Sequence, residues 1–178
     1  MLVELTGATG VPARNDPRVR LLDGLDRRVE PLYREVPEVV VVREGELEYA
    51  ANLWRGQKTG LSLDQRENHA AAAAHARGRA LDAFSYHGGF ALAIARRCET
   101  VTAIDVSPEA IAGLEANAAR NGLANVEART ANVFDELRRL DHAGERFDTI
   151  VLDPPAFAKN KAAVSAALAG TMRSTCGP

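Results

Sequence analysis

The chain has 178 residues, 46% of them hydrophobic, and a formal net charge of −2. That is enough apolar content for one buried core with a small appendage, without the broad basic field that announces nucleic acid. Its apolar runs are too short to span a bilayer, and Met1-Leu2-Val3-Glu4-Leu5-Thr6 lacks the basic start and long apolar stretch of a secretory signal. Two isolated cysteines, Cys98 and Cys176, make neither a disulfide framework nor a metal cluster, so a cytoplasmic protein without metal is expected.

In chain order, residues 1–36 are rich in Arg and Asp and broken by Pro12, Pro17 and Pro31. Only 17–25 reads as a short helix, with no core of its own. The run at 38–43, with four consecutive valines, reads as a strand because β-branched side chains favour the pleated surface. Glu44-Gly45 turns the chain and 47–53 returns with near alternation, which makes a hairpin. The segment 56–60 is a loop with glycine at both ends.

An alanine-rich helix is expected over 64–77, stopped by Gly78. The pattern then alternates: strand 79–84, helix 88–97, strand 100–105, helix 108–121, strand 125–130, helix 133–141, strand 147–152. Ser107 and Pro108 mark the start of one helix, and Asn121-Gly122 its stop. Short connections between alternating strands and helices imply parallel strands and right-handed crossovers. The expected fold class is therefore α/β, a doubly wound Rossmann-like sheet preceded by a β-hairpin segment, with a boundary between residues 1–60 and 61–178.

Four sites fall at the carboxyl ends of these strands, where doubly wound sheets bind ligands. Gly88-Gly89 lets backbone approach a ligand, and the following helix offers free N–H groups to a carboxylate; a tight turn alone would use the same residues. Asp105, closing the next strand, is placed to accept both hydroxyls of a ribose, or alternatively to serve as a helix N-terminal charge near Ser107. Asn132 is placed to meet the exocyclic amine of adenine beside an apolar neighbour, and also to cap the helix after it. In Asp153-Pro154-Pro155-Ala156-Phe157 the prolines stiffen the loop, Asp153 offers a carboxylate to a flat polar group, and Phe157 offers a ring to stack on a base. A dinucleotide is disfavoured: G-x-G-x-x-G is absent, and Tyr86-His87 crowd the place a pyrophosphate would take. S-adenosylmethionine, which has no phosphate, suits the turn better.

With these residues the chain resembles the class I S-adenosylmethionine-dependent methyltransferases. More narrowly, it is similar to the large-subunit ribosomal RNA methyltransferases that make 5-methylcytosine and carry an N-terminal PUA domain. The matching stretches are Gly56-Gln57-Lys58-Thr59-Gly60, Leu63-Asp64-Gln65-Arg66-Glu67-Asn68, Phe84-Ser85-Tyr86 with Gly88-Gly89-Phe90, Asp105-Val106-Ser107 and Asp153-Pro154-Pro155-Ala156-Phe157. The resemblance implies that Phe84, Ser85, Tyr86, Gly88 and Gly89 line the methionine end of the cofactor. It implies that Asp105, with Val106 and Ser107 beside it, takes the ribose, and Asn132 with Val133 the adenine. Gln65 and Arg66 would brace the pocket, while Asp153, Pro154 and Phe157 would face the target base. His87, Ser62 and Asn132 depart from the family's usual residues.

The resemblance also implies parts that this chain does not supply. The cysteine thiolate that adds to cytosine C6 lies on a later strand of a seven-stranded sheet, of which four strands are legible here. The PUA domain is absent. Cys176 reads as a terminal thiol and Cys98 as a packing residue. Codons can be chosen for Thr171 to Pro178 whose shifted reading gives Tyr-Glu-Val-Asn-Leu-Arg-Ala-Leu, so a frameshifted tail and a truncated chain are expected. An open edge on the last strand would favour self-association. The expected function is an RNA methyltransferase, acting on cytosine C5 of large-subunit ribosomal RNA, with guanine N7 as an alternative target. An inactive cofactor-binding remnant and a nicotinamide-dependent oxidoreductase are the competing readings.

Overall fold

The computed structural model describes residues 2–16, 19–55 and 60–155. They form two compact units: the chain to Arg43 with Tyr49–Ser62, and Glu44–Glu48 with the chain from Leu63 onward.

The first unit holds more order than its composition suggests. A short helix, α1 (Leu2–Thr6), precedes strand β1 (Val11–Asn15), one helical turn α2 (Val19–Leu22) and strand β2 (Arg28–Tyr33). Strands β1 and β2 pair antiparallel, with Ala13 opposite Glu30 and Arg14 opposite Val29. Neither strand was expected, and the helix expected over 17–25 ends at Leu22, residues 23–25 being non-helical. The reason is physical. Nearly every β2 side chain is exposed, so no apolar alternation marks it. The two prolines that read as breaks, Pro12 and Pro31, face each other across the pair, and a two-stranded ribbon has open edges that tolerate a missing N–H. Arg14 ties the ribbon down, donating to Leu53 O at 3.2 Å and to the Asp16 carboxylate at 3.0 and 3.2 Å. The expected hairpin is present as β3 (Val39–Glu44) and β4 (Leu47–Asn52), turned at Gly45 with φ +60°.

In the second unit a 3-10 turn (Leu63–Gln65) leads into α3 (Arg66–His75). Strand β5 (Arg79–Ala83), α4 (Gly89–Ala95), β6 (Thr100–Asp105), α5 (Pro108–Arg120), β7 (Val126–Thr130), α6 (Val133–His142) and β8 (Thr149–Leu152) then alternate. The four strands form one parallel sheet in the order β7-β6-β5-β8. This is the doubly wound arrangement, and the order reverses between β5 and β8.

Side-chain alternation on β5 sorts the two faces. Leu81 and Ala83 pack with Ile104, Val133 and Leu140, so α6 covers this face, with Phe84, Leu137 and Phe147 around the cluster. Right-handed crossovers put α4 and α5 on the opposite face, where Leu92, Ile94 and Leu114 are fully buried. Helix α5 starts as its sequence dictates: Ser107 Oγ accepts the Ala110 N–H at 3.2 Å and Pro108 opens the first turn. It ends at Gly122, φ +66°, where Leu123 N donates to Ala118 O at 3.0 Å.

Candidate functional site

The chain leaves β5 through a tight, strained turn. Phe84 has φ +69°, Tyr86 φ +48° and Gly88 φ +88°, a left-handed conformation that costs a non-glycine residue about 1 kcal/mol or more. Three backbone donors hold it: Ser85 N to Ile104 O at 2.9 Å, Gly88 N to Ser85 O at 2.8 Å, and Tyr86 N to Asp105 Oδ2 at 2.9 Å. Packing adds to this. Phe84 meets Phe134 edge-on at 5.7 Å, and Tyr86 stacks on His87 at 4.0 Å.

The glycines of this turn do a packing job that their sequence does not announce. A Cβ on Gly88 would stand 2.5 Å from Leu92 Cδ1 and 2.8 Å from Leu114 Cγ, and one on Gly89 2.6 Å from the ring of His69. The missing side chains make room for protein, bringing α4 close to its neighbours. His87 packs in the same way. It is half-buried, and its ring lies 2.9 Å from where a Gly113 Cβ would be.

Asp105 sits at the carboxyl end of β6, beside this turn. Its Oδ2 accepts from Tyr86 N and its Oδ1 from Ser107 N, each at 2.9 Å. Each carboxylate oxygen can accept a second bond, so two parallel acceptors remain at a fixed spacing, which suits a vicinal diol. The local helix-entry role and the acceptor role thus coexist in one side chain. Ser107 Oγ is engaged as the α5 cap. Val106 is 67% exposed, an apolar surface next to the carboxylate.

Asp82 was read from the sequence only as part of a strand. It lies on the α4 side of β5, 1% exposed, and accepts a hydrogen bond from the Ala91 N–H. Among the described residues its Oδ2 has no partner, and neither does the buried Ser85 Oγ. Burial pushes the Asp82 carboxyl up to about 8, and the Asp153 and Asp105 carboxylates add to the shift. The signal available in the sequence was a lone acid inside the otherwise apolar Ala80-Leu81-Asp82-Ala83, a costly choice for a buried strand.

The remaining expected residues are distributed unevenly. Asn132 Oδ1 accepts from Phe134 N at 3.0 Å and Asp135 N at 3.3 Å, so its oxygen serves as the α6 cap. Val133 is 4% exposed in the core beneath α6, which removes its side chain from any ring face. Asp153 is exposed just past β8 and Pro154 half-buried; Phe157 lies outside the described residues. Gln65 precedes α3, where its Oε1 accepts from Asn68 Nδ2 at 2.5 Å, and Arg66 is exposed. Among the described residues no group of His, Cys, Asp and Glu is arranged to hold a metal ion, and no helix is long and apolar enough to cross a membrane.

The family model described as "Conserved hypothetical protein 95" matches residues 68–173, more than half of the chain. The chain belongs to the conserved hypothetical protein 95 family. Among curated relatives, "Ribosomal RNA large subunit methyltransferase I" of Tolumonas auensis is 38% identical over 175 residues, covering 95% of this chain and 44% of that protein. The chain therefore spans under half the length of that relative. Among solved structures, a candidate SAM-dependent methyltransferase from Streptococcus mutans superposes with a TM-score of 0.66 at 29% identity, over 72% of this chain and 36% of the other. A candidate methyltransferase in complex with SAH gives 0.65 at 30% identity, over 75% and 37%.

Proposed function

We propose that this chain carries the cofactor-binding part of a cytoplasmic S-adenosylmethionine-dependent methyltransferase that acts on large-subunit ribosomal RNA, at cytosine C5. The carrying observation is the convergence of Asp105, with one further acceptor position on each oxygen, and two buried atoms unpartnered among the described residues, Asp82 Oδ2 and Ser85 Oγ, on β5 and the strained turn after it. A buried carboxylate oxygen without a donor is costly; a ligand ammonium would satisfy it. The residues present thus fit an amino acid joined to a nucleoside.

In this reading Asp105 accepts both ribose hydroxyls, Asp82 faces the ammonium, and Ser85 Oγ bonds the methionine end. Val106 packs on the adenosine. Asn132, its oxygen committed to the α6 cap, would offer adenine its amide nitrogen. Phe84, Tyr86, Gly88 and Gly89 shape the wall, with Gln65 and Arg66 bracing it. The cofactor supplies a methyl group on a sulfonium, an electrophile for a base carbon made nucleophilic. Asp153, Pro154 and Phe157 would present the base. The thiolate that cytosine C5 chemistry needs is not Cys98: its carbonyl is bonded by Asn125 and it neighbours Asp148 and Thr149, at the amino-terminal end of the sheet, away from Asp105.

Calorimetry with SAH and with NAD tests the cofactor. SAH should bind and NAD should not, and Asp105→Ala should weaken SAH binding by about 100-fold, since both diol acceptors and the anchor of the Tyr86 N–H are lost. NAD binding without SAH binding would overturn the reading. Transfer of labelled methyl to deproteinised ribosomal RNA, followed by nucleoside analysis, tests the target: 5-methylcytosine is expected, and another methylated base would contradict the C5 assignment.

A further inference from the structure

The tip of the hairpin, Glu44–Glu48, belongs to the same compact unit as the sheet and its helices. It is fastened there at three points. Glu48 N donates to Asn121 Oδ1 at 2.9 Å and Glu48 O accepts from Asn121 Nδ2 at 2.7 Å, at the end of α5. Glu46 pairs with Arg96, the cap of α4. The third fastening is the most buried. Glu44 Oε1 lies 2.8 Å from His69 Nδ1, with side chains 17% and 8% exposed.

His69 is the buried residue of an otherwise alanine-rich α3. Its ring meets Phe90 edge-on at 4.6 Å and occupies the space a Gly89 side chain would need. Gly89 and Phe90 open α4, and the next residue, Ala91, donates its N–H to Asp82. The first turn of α4 is therefore gripped from two sides, by Asp82 on β5 and by His69 on α3. A shift of the imidazole would move Gly89 and, through Ala91, the carboxylate of Asp82.

We propose that Glu44 and His69 are positioning residues for the adenosylmethionine site, the hairpin tip holding the imidazole against Gly89 and the imidazole fixing the glycine turn and Asp82. This inference rests on the cofactor reading above. It also explains why position 89 is glycine: the absent side chain accommodates His69. Coupling here runs through packed neighbours, the physical route by which a residue outside a pocket changes its affinity.

The test is SAH affinity by calorimetry on the full chain, with the melting temperature of the ligand-free protein measured alongside. Glu44→Gln, which keeps the side-chain volume, should lower SAH affinity about tenfold, as should His69→Ala. Gly89→Ala should weaken binding when His69 is present, and that penalty should shrink to about twofold or less in the His69→Ala background. SAH binding by the unaltered chain with Glu44→Gln matching it would overturn the inference alone. So would a melting temperature that falls while affinity holds, or an equal Gly89→Ala penalty in both backgrounds. Should His69→Ala fail to fold, Glu44→Gln decides. Failure of the unaltered chain to bind SAH would overturn the cofactor reading, and this inference with it.

Discussion

Asp82 and Asp105 show how two carboxyl groups of the candidate site meet different surroundings. Asp105 receives two backbone N–H donors, whereas Asp82 is fully buried with one oxygen unsatisfied and its carboxyl pushed up to about 8. An isolated carboxyl in the unfolded chain titrates near 3.8. Between these values the unfolded chain has lost the Asp82 proton while the folded chain keeps it, so the contribution of Asp82 to stability falls as pH rises through that window and levels off above about 8. Asp82→Asn should flatten this part of the profile and be the relatively more stable form at pH above about 8, read from urea midpoints at a series of pH values. The same group sets the ligand response: SAH affinity should rise as Asp82 ionises, and Asp82→Asn should remove that rise. A variant profile parallel to the parent would contradict both expectations.

Helix α6 offers the matching case among its elements. Glu136 bonds Arg139 at 2.7 and 2.8 Å and Arg129 at 2.9 Å, joining the helix to β7. Arg139 above all, with Arg129, holds the Glu136 carboxyl down at about 2, against 4.5 for a free group. Here the sign reverses: the stabilisation is present above pH 4.5 and is lost as pH falls toward 2. Glu136→Gln should cost about 1 kcal/mol at neutral pH and narrow the acid-unfolding difference from the parent, measured by circular dichroism. The elements of this unit were legible because each carries its own signal. Strands β5, β6 and β8 have apolar centres, Ser107 and Asn132 stand at cap positions, and Gly122 follows a helix; no end moved by more than two residues. Strands β1 and β2 carry no such signal: β2 side chains are mostly exposed, and the prolines of both strands read as breaks. The glycines were found, but a sequence does not say that an absent Cβ also makes room for Leu114 and His69. Asp82 and the Glu44–His69 pair were missed for a related reason: their meaning lies in burial and in a contact between residues 25 apart.

At the scale of the whole molecule, sheet order places the functional candidates together. Reversal of the order between β5 and β8 brings the ends of β5, β6 and β8 side by side, and with them the turn after Ala83, Asp105 and Asp153. Register shows how closely they align: Ala83 pairs with Ile104 on one side and Leu152 on the other. Asp105 and Asp153 both act on the buried Asp82 carboxyl, so three carboxyl groups gather at one end of the sheet, a setting suited to a cationic ligand. The most direct measurement is a crystal structure of the chain with SAH. The account predicts both ribose hydroxyls on Asp105 and the ammonium within hydrogen-bonding distance of Asp82 Oδ2. A ligand bound elsewhere, or with its ribose turned from Asp105, would contradict it.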